Sequence, residues 1–516
     1  MKPLTLVFLI FAAFPLLVVA ADKIHDDQEL DAVILRTNEL YLDSKFDEAI
    51  AAIREMENTH PGNPAVSYFT ANGYWWKIFR LYVYDKDARD PEFDKKFDFY
   101  LNETIRRSEA LLAKNRRDMK ALFYLGNAYS LKSRVKGLRA SYFSAGRDAA
   151  KGKGYLEQVL KMDPQQYEAY YNIGVYNYLA DTLPGYAKVL KVFLFMPGGS
   201  KKKGLALLKT AGEKSSYFGV ESRLILARFY ADFEDQPFEA LKIVQEFHNR
   251  HPDNAWFHYW KGTLYSDEIN DYAEAQKIYE DVLRKCKQGF SGYTSELRNQ
   301  AWLKLARCLS RQLHPERAIE ELRALIAEKP SQPAWILPRA YTELGNTLDQ
   351  TGMRQEALAA YNRVLTLPDY RDSHQQARNL RTQKYNQKAA DIYKLNLDGR
   401  RLTAESRFTE AEKALQEVLA KYPNNEQTLY ALGELHYEKR DFDKAGEIFR
   451  DIIRRNPKEP KWLVPGTYVR LGQVYEAIKQ ADRARIAYEK ALDEKTLPSD
   501  DRNIAKRALK VIGRNG

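Results

Sequence analysis

Residues 426 to 459, EQTLYALGELHYEKRDFDKAGEIFRDIIRRNPKE, place apolar side chains at helical intervals, break, and do so again. Leu429, Leu432 and Gly433 share one face of a first helix. Ala445, twelve residues after the glycine, opens the matching face of a second helix, which Phe449 and Ile452 continue and Pro457 stops. The two segments predict a helical hairpin. Gly433 and Ala445 are small where two helices must cross closely, and Phe449 is large enough to fill the space beside the crossing.

This 34-residue unit resembles the tetratricopeptide repeat, in which an aromatic precedes Leu-Gly and is followed by Ala, a second aromatic and a closing Pro. His436 departs from the pattern at a position where the family more often has Tyr. The resemblance extends along the chain. A first hairpin is expected over about residues 30 to 63, with Val33, Leu40, Ala49, Ile53 and Met56 in register. Units two to four, over 64 to 218, are extended: an aromatic helix runs through SYFTANGYWWKIFRLYVYD to the break at Asp90-Pro91, and unit three, opening at ALFYLGNAY, is about 14 residues too long. In unit four Tyr170, Ile173 and Gly174 keep the pattern, but the next helix waits until about Lys202. The intervening Leu183 to Met196 suits a short amphipathic helix, either a cap over the stack or an element that touches a membrane surface or partner.

From about 219 the period tightens. Pro330, Pro333, Trp335, Pro338, Tyr341, Leu344 and Gly345 recur 127 residues later as Pro457, Pro460, Trp462, Pro465, Tyr468, Leu471 and Gly472, so pairs of hairpins were copied together. Each copy ends in Leu-Pro and a polar helix. The chain is therefore expected to be all-α, a right-handed superhelical solenoid of about eleven hairpins with a C-terminal capping helix. Its expected divisions are a signal peptide over 1–21, an N-terminal array over 22–371, a cap-like internal helix or seam over 372–390, a C-terminal array over 391–498, and a capping helix and tail over 499–516.

Composition changes this picture in one respect. Lys2 precedes an apolar run from Leu6 to Val19 and Ala20-Ala21, the arrangement of a secretory signal, with the mature chain beginning near Asp22. An uncleaved anchor is the rival, although the run is short for a membrane span. The formal charge of +11 is spread along a long chain, which points to solvated helix faces and not to a nucleic-acid footprint. The protein is expected to lie in the periplasm or cell envelope if bacterial.

No set of acid, base and nucleophile interrupts the repeats, so no enzyme, cofactor or metal site is expected. His248, His251 and His258 are spaced for a helix end but lack a nearby acidic or cysteine ligand. Gly198-Gly199-Ser200 before Lys201, Lys202 and Lys203 offers amides and charge for an anion or a membrane, without the spacing of a P-loop. Cys286 and Cys308 permit a disulfide in an oxidising compartment and equally permit two separate thiols.

The resemblance also implies a partner-binding groove, lined by the first helix of each hairpin. The slot after the glycine holds Asn38, Asn127 and Asn346, and Asn72 if unit two keeps register. Asparagine amides can accept from and donate to a peptide backbone, or they can bond local helix backbone. Tyr171, Tyr259 and Tyr430 occupy slots four residues before that position, where lysine would be needed to clamp a carboxylate; they suit contacts with a partner's side chains, or filling of the groove. The expected function is thus an exported scaffold that binds protein or peptide and organises an envelope complex. The alternative is a module contacting lipid or glycan through 183–196.

Overall fold

The computed structural model describes residues 24–182 and 198–515, which are helical with no β-strand among them. The expected signal segment and the amphipathic insert 183–196 lie outside the described residues. No helix of the described residues is long and apolar enough to cross a membrane.

The described residues form two compact units, one drawn from Met1–Tyr41, Lys45–Phe79 and Asp90–Ser222 and the other from Leu42–Ser44, Arg80–Arg89 and Arg223–Gly516. The last boundary between them along the chain falls after Ser222. The cap-like helix expected near 372–390 is Ser373–Thr382, which lies within the second unit and packs on Arg354–Val364.

In the first unit the aromatic stretch is one helix, Pro64–Tyr84, and the chain returns as Pro91–Lys114, whose start is fixed by Asp90 accepting from the Glu92 amide at 2.9 Å. The surplus residues of unit three form no loop. They lengthen both helices of a hairpin, Met119–Leu138 and Tyr142–Met162. Tyr170–Thr182 then pairs with Lys201–Lys214.

The second unit stacks regular hairpins, including Ile336–Gln350 with Arg354–Val364, Glu426–Glu438 with Phe442–Arg455, and Leu463–Ala477 with Ala481–Asp493. Each crossing is as tight as the residue sizes require. A β-carbon added at Gly345, Gly433 or Gly472 would lie 2.4, 2.5 or 2.6 Å from a ring carbon of Tyr361, Phe449 or Tyr488, all three rings being fully buried. The duplicated segments share a further feature, a cis peptide at Gln332-Pro333 and at Glu459-Pro460.

The C-terminal helix Ser499–Asn515 covers the last hairpin, as a cap should. Val469, Tyr488, Leu497 and Ala505 form a common core beneath it. It also closes the second unit on itself. Asn503 donates to the Asp267 carbonyl at 2.8 Å, Arg507 to those of Glu268 and Ile269, and Lys510 to that of Glu234, while Asn270 donates back to the Asp500 carbonyl at 2.9 Å. The carbonyls reached by Asn503 and Arg507 belong to the last three residues of the π-helical turn Leu264–Ile269, where helix-end oxygens have no partner within the helix.

Candidate functional site

The asparagines expected to line a groove divide between interior positions. In the first unit Asn38 is buried and its Nδ2 donates to the Tyr217 carbonyl at 2.9 Å. Asn127 is fully buried; its Nδ2 donates to the Phe123 carbonyl at 2.9 Å and its Oδ1 accepts from Asn172 Nδ2 at 2.6 Å. Asn72 is 1% exposed. These three side chains are thus set inside the unit. In the second unit the Oδ1 of half-buried Asn346 accepts from the Tyr361 hydroxyl at 3.0 Å.

Asn127, through Asn172, and Asn72 lead to two charged residues that the repeat pattern gave no reason to expect, partly buried Arg134 and buried Glu221. Asn172 Oδ1 accepts from Arg134 at 2.6 Å, and the Arg134 guanidinium lies over the rings of Tyr171, 4.7 Å away, and Trp75, 5.8 Å away. Opposite charge is present in Glu221, in the first turn of the helix Gly219–Asp232 and only 6% exposed. Burial pushes its carboxyl up to about 7, although Arg134 and the neighbouring Asn72 amide pull the other way. Tyr171 therefore belongs to this interior, under Arg134.

Tyr430 is buried in the second unit with its ring edge-on to Trp462 at 5.4 Å and 5.9 Å from Phe449, so it fills the core between repeats. Tyr259 does line an open feature, a cleft of about 360 Å³ shared with Gln300, Lys304, Arg307, Trp335, Arg339, Tyr370 and Arg371. No carboxylate is among its lining residues. The carboxylates that neutralise its cations stand behind them: Glu343 is 2.8 Å from Arg339 and 3.7 Å from Arg307, Asp87 is 3.0 Å from Arg371, and Asp267 holds Lys304. Gln300 is 5% exposed and its Nε2 has no hydrogen-bond partner. Arg307 and Arg339 keep about two-fifths of their surface open to solvent, at 42% and 41%.

The slot after the glycine carries charge in the later repeats. Arg400 and Glu434 follow Gly399 and Gly433, and they form a partly buried chain with Arg470 and Asp501, with successive separations of 3.2, 3.1 and 3.6 Å. Opposite signs one repeat apart in that slot were the available signal. The asparagine pattern drew attention away from it.

The remaining candidates are plainly placed. Lys201, Lys202 and Lys203 open the helix Lys201–Lys214, where the amide of Lys201 donates to Asp181 at 2.8 Å and that of Lys203 to Ser200 at 3.3 Å, so those two amides serve the protein itself. The rings of His248 and His258 stack at 4.7 Å, His258 Nδ1 lies 3.0 Å from the Tyr293 hydroxyl, and His251 Nδ1 lies 2.8 Å from Asp43. Cys286 and Cys308 are unpaired thiols, and burial pushes them up to about 11 and about 12, so neither is a ready nucleophile.

Stacked antiparallel helix pairs, several with a glycine against a buried ring or leucine at the crossing, define a helical repeat protein. Three tetratricopeptide-repeat profiles match residues 402–463, residues 338–369 and 465–495, and residues 267–333. Over 267–495 the chain belongs to the tetratricopeptide-repeat superfamily, whose members generally act as protein-interaction scaffolds. No curated protein sequence matches the chain. Among solved structures it is similar to yeast Tom70, at 14% identity over 95% of this chain and 97% of that one with a TM-score of 0.30. It is similar also to a tetratricopeptide repeat protein from Parabacteroides merdae, at 15% identity over 57% and 98% with a TM-score of 0.25. A human IFIT1 dimer with m7Gppp-AAAA matches at 14% identity over 83% and 90% with a TM-score of 0.31.

Proposed function

We propose that this protein is an exported scaffold that docks an acidic segment of a protein partner in the cleft of its second unit, organising a complex at the cell envelope. One observation carries the docking: four cations and three aromatic rings line a cleft whose lining holds no carboxylate. Arginine and aromatic side chains are the usual anchors of protein interfaces, because they bury much area and keep directional hydrogen bonds. Glu343 and its counterparts fix the cations from behind, so little side-chain entropy remains to be lost on binding. Export rests on the charged and apolar opening of the chain.

The test is a photo-crosslinking amino acid introduced at Trp335, and separately at exposed Ile486 as a control, in the full chain expressed in its own cells. The expected result is a protein adduct at 335 in the envelope fraction, lost when Arg307 and Arg339 are changed to Glu. Equal adducts at both positions, or adducts unaffected by the charge reversal, would overturn the docking; recovery of the chain only from the cytosol would overturn the export.

A further inference from the structure

The interior of the first unit holds more polar chemistry than its packing uses. Tyr68 Oη and Glu221 Oε2 have no hydrogen-bond partner among the described residues, both side chains are more than nine-tenths buried, and the buried Asn72 amide lies beside Glu221. A buried polar group left unpartnered is costly, so two in one interior call for something to meet them. Arg134 is their neighbour: it is among the charges acting on both Tyr68 and Glu221, yet it forms no ion pair among the described residues. A partly buried guanidinium that meets an amide and aromatic faces, and a buried carboxyl with one unpartnered oxygen, suit a molecule that reaches both.

The geometry fixes what that molecule must carry. Arg134 is held by the relay through Asn172 and Asn127 to the Phe123 carbonyl, and by the ring of Tyr171, so its donors are set before any ligand arrives. The Arg134 guanidinium is a donor and calls for an acceptor, best a carboxylate. Glu221 is the available acceptor and calls for an N–H. The walls are aromatic, with Tyr171 5.6 Å from Phe218 and Tyr68 6.1 Å from Phe218. We propose that the Arg134–Glu221 interior is a ligand site for a compact molecule bearing a carboxylate and an N–H donor, either a free α-amino acid or the end of a peptide chain. The site is separate in residues from the cleft of the second unit and stands or falls independently of it.

The experiment titrates the full mature chain with four probes followed by calorimetry: a mixture of the common amino acids, the same mixture N-acetylated, succinate, and n-butylamine. Concentrations run to about 10 mM, at which even a millimolar site is largely filled. Saturable binding of the first or second mixture is expected, with succinate and n-butylamine inert. Binding of the free amino acids alone assigns a small-molecule site, whereas binding of the acetylated forms assigns a chain end. Arg134→Gln and Glu221→Gln should each weaken binding about tenfold or more, the loss expected for one hydrogen bond to a charged group. The proposal is overturned if neither mixture binds, if succinate or n-butylamine binds equally well, or if both folded variants bind like the parent. Should a variant misfold by circular dichroism, the probe panel on the unsubstituted chain decides alone.

Discussion

Gly433 and Gly446 lie in the two helices of one hairpin, and replacing each by alanine should change stability in opposite directions. Alanine is favoured over glycine in a helix by up to about 1 kcal/mol, and both sites gain that. At Gly433 the new β-carbon would lie 2.5, 2.8 and 3.0 Å from three ring carbons of Phe449, which is fully buried and has nowhere to turn. Overpacking costs about 1–3 kcal/mol, and a rigid ring in a helix crossing belongs at the upper end, leaving Gly433→Ala destabilised by about 1–2 kcal/mol. At Gly446 the nearest atom is the tip of the Arg450 side chain at 3.0 Å, followed by Val474 at 3.5 Å. That tip can swing aside, so Gly446→Ala should be neutral or stabilising by up to about 1 kcal/mol. Urea unfolding followed by circular dichroism reads both, the midpoint being compared at constant slope. The double-mutant cycle supplies the cause: with Phe449→Ala in place, Gly433→Ala should cost nothing, because the ring it meets is gone. A stabilising Gly433→Ala, or one whose cost persists without the ring, would refute the packing account.

Two further outcomes are expected. His258 is pushed down to about 3, chiefly by burial and then by the adjacent His248 and Lys285, so between about 3 and its ordinary value of 6.5 the unfolded chain binds a proton that the folded one refuses; stability should therefore fall as pH is lowered through that window, and urea midpoints at about pH 7.5 and 4.5 should differ less in His258→Gln than in the parent. Ending the chain after Leu497 removes both the cap on the last hairpin and the donors from Asn503, Arg507 and Lys510; hydrogen exchange should quicken in 469–491 and also in 264–271, and unchanged exchange in the latter would mean that the closure of the second unit is not energetically linked to its cap.

The hairpins were legible because each is a local object. Gly433, Ala445 and Phe449 lie within one 34-residue unit, and their sizes alone state that two helices cross there and what fills the space beside them. The same holds for the polar helix after Leu497, which had to cover the last hydrophobic face wherever that face lay. The length of unit three was legible too, but its form was not. A surplus of residues reads equally as a loop or as longer helices, and the structure shows the longer helices Met119–Leu138 and Tyr142–Met162.

The sites were hidden because they are made by distance. Asn38 looked like a groove residue from its slot, yet its amide is consumed by the carbonyl of Tyr217, 179 residues onward, a contact that no local pattern announces. In the same way Arg507 is indistinguishable in sequence from any exposed cap residue, but it is spent on carbonyls 238 and 239 residues earlier. A repeat slot therefore fixes which direction a side chain points and leaves open what meets it there. That distinction also explains why Arg134 and Glu221 outrank the asparagines as candidates. An asparagine in a repeat can satisfy itself on its own helix, as Asn127 does on the Phe123 carbonyl, whereas a buried charge cannot. Arg134 is partly buried against an amide and aromatic faces, and Glu221 is buried with its pKa raised and one oxygen unpartnered. Groups held at such cost in a fold that needs only small and large apolar residues at its crossings are better explained by what they bind than by what they support.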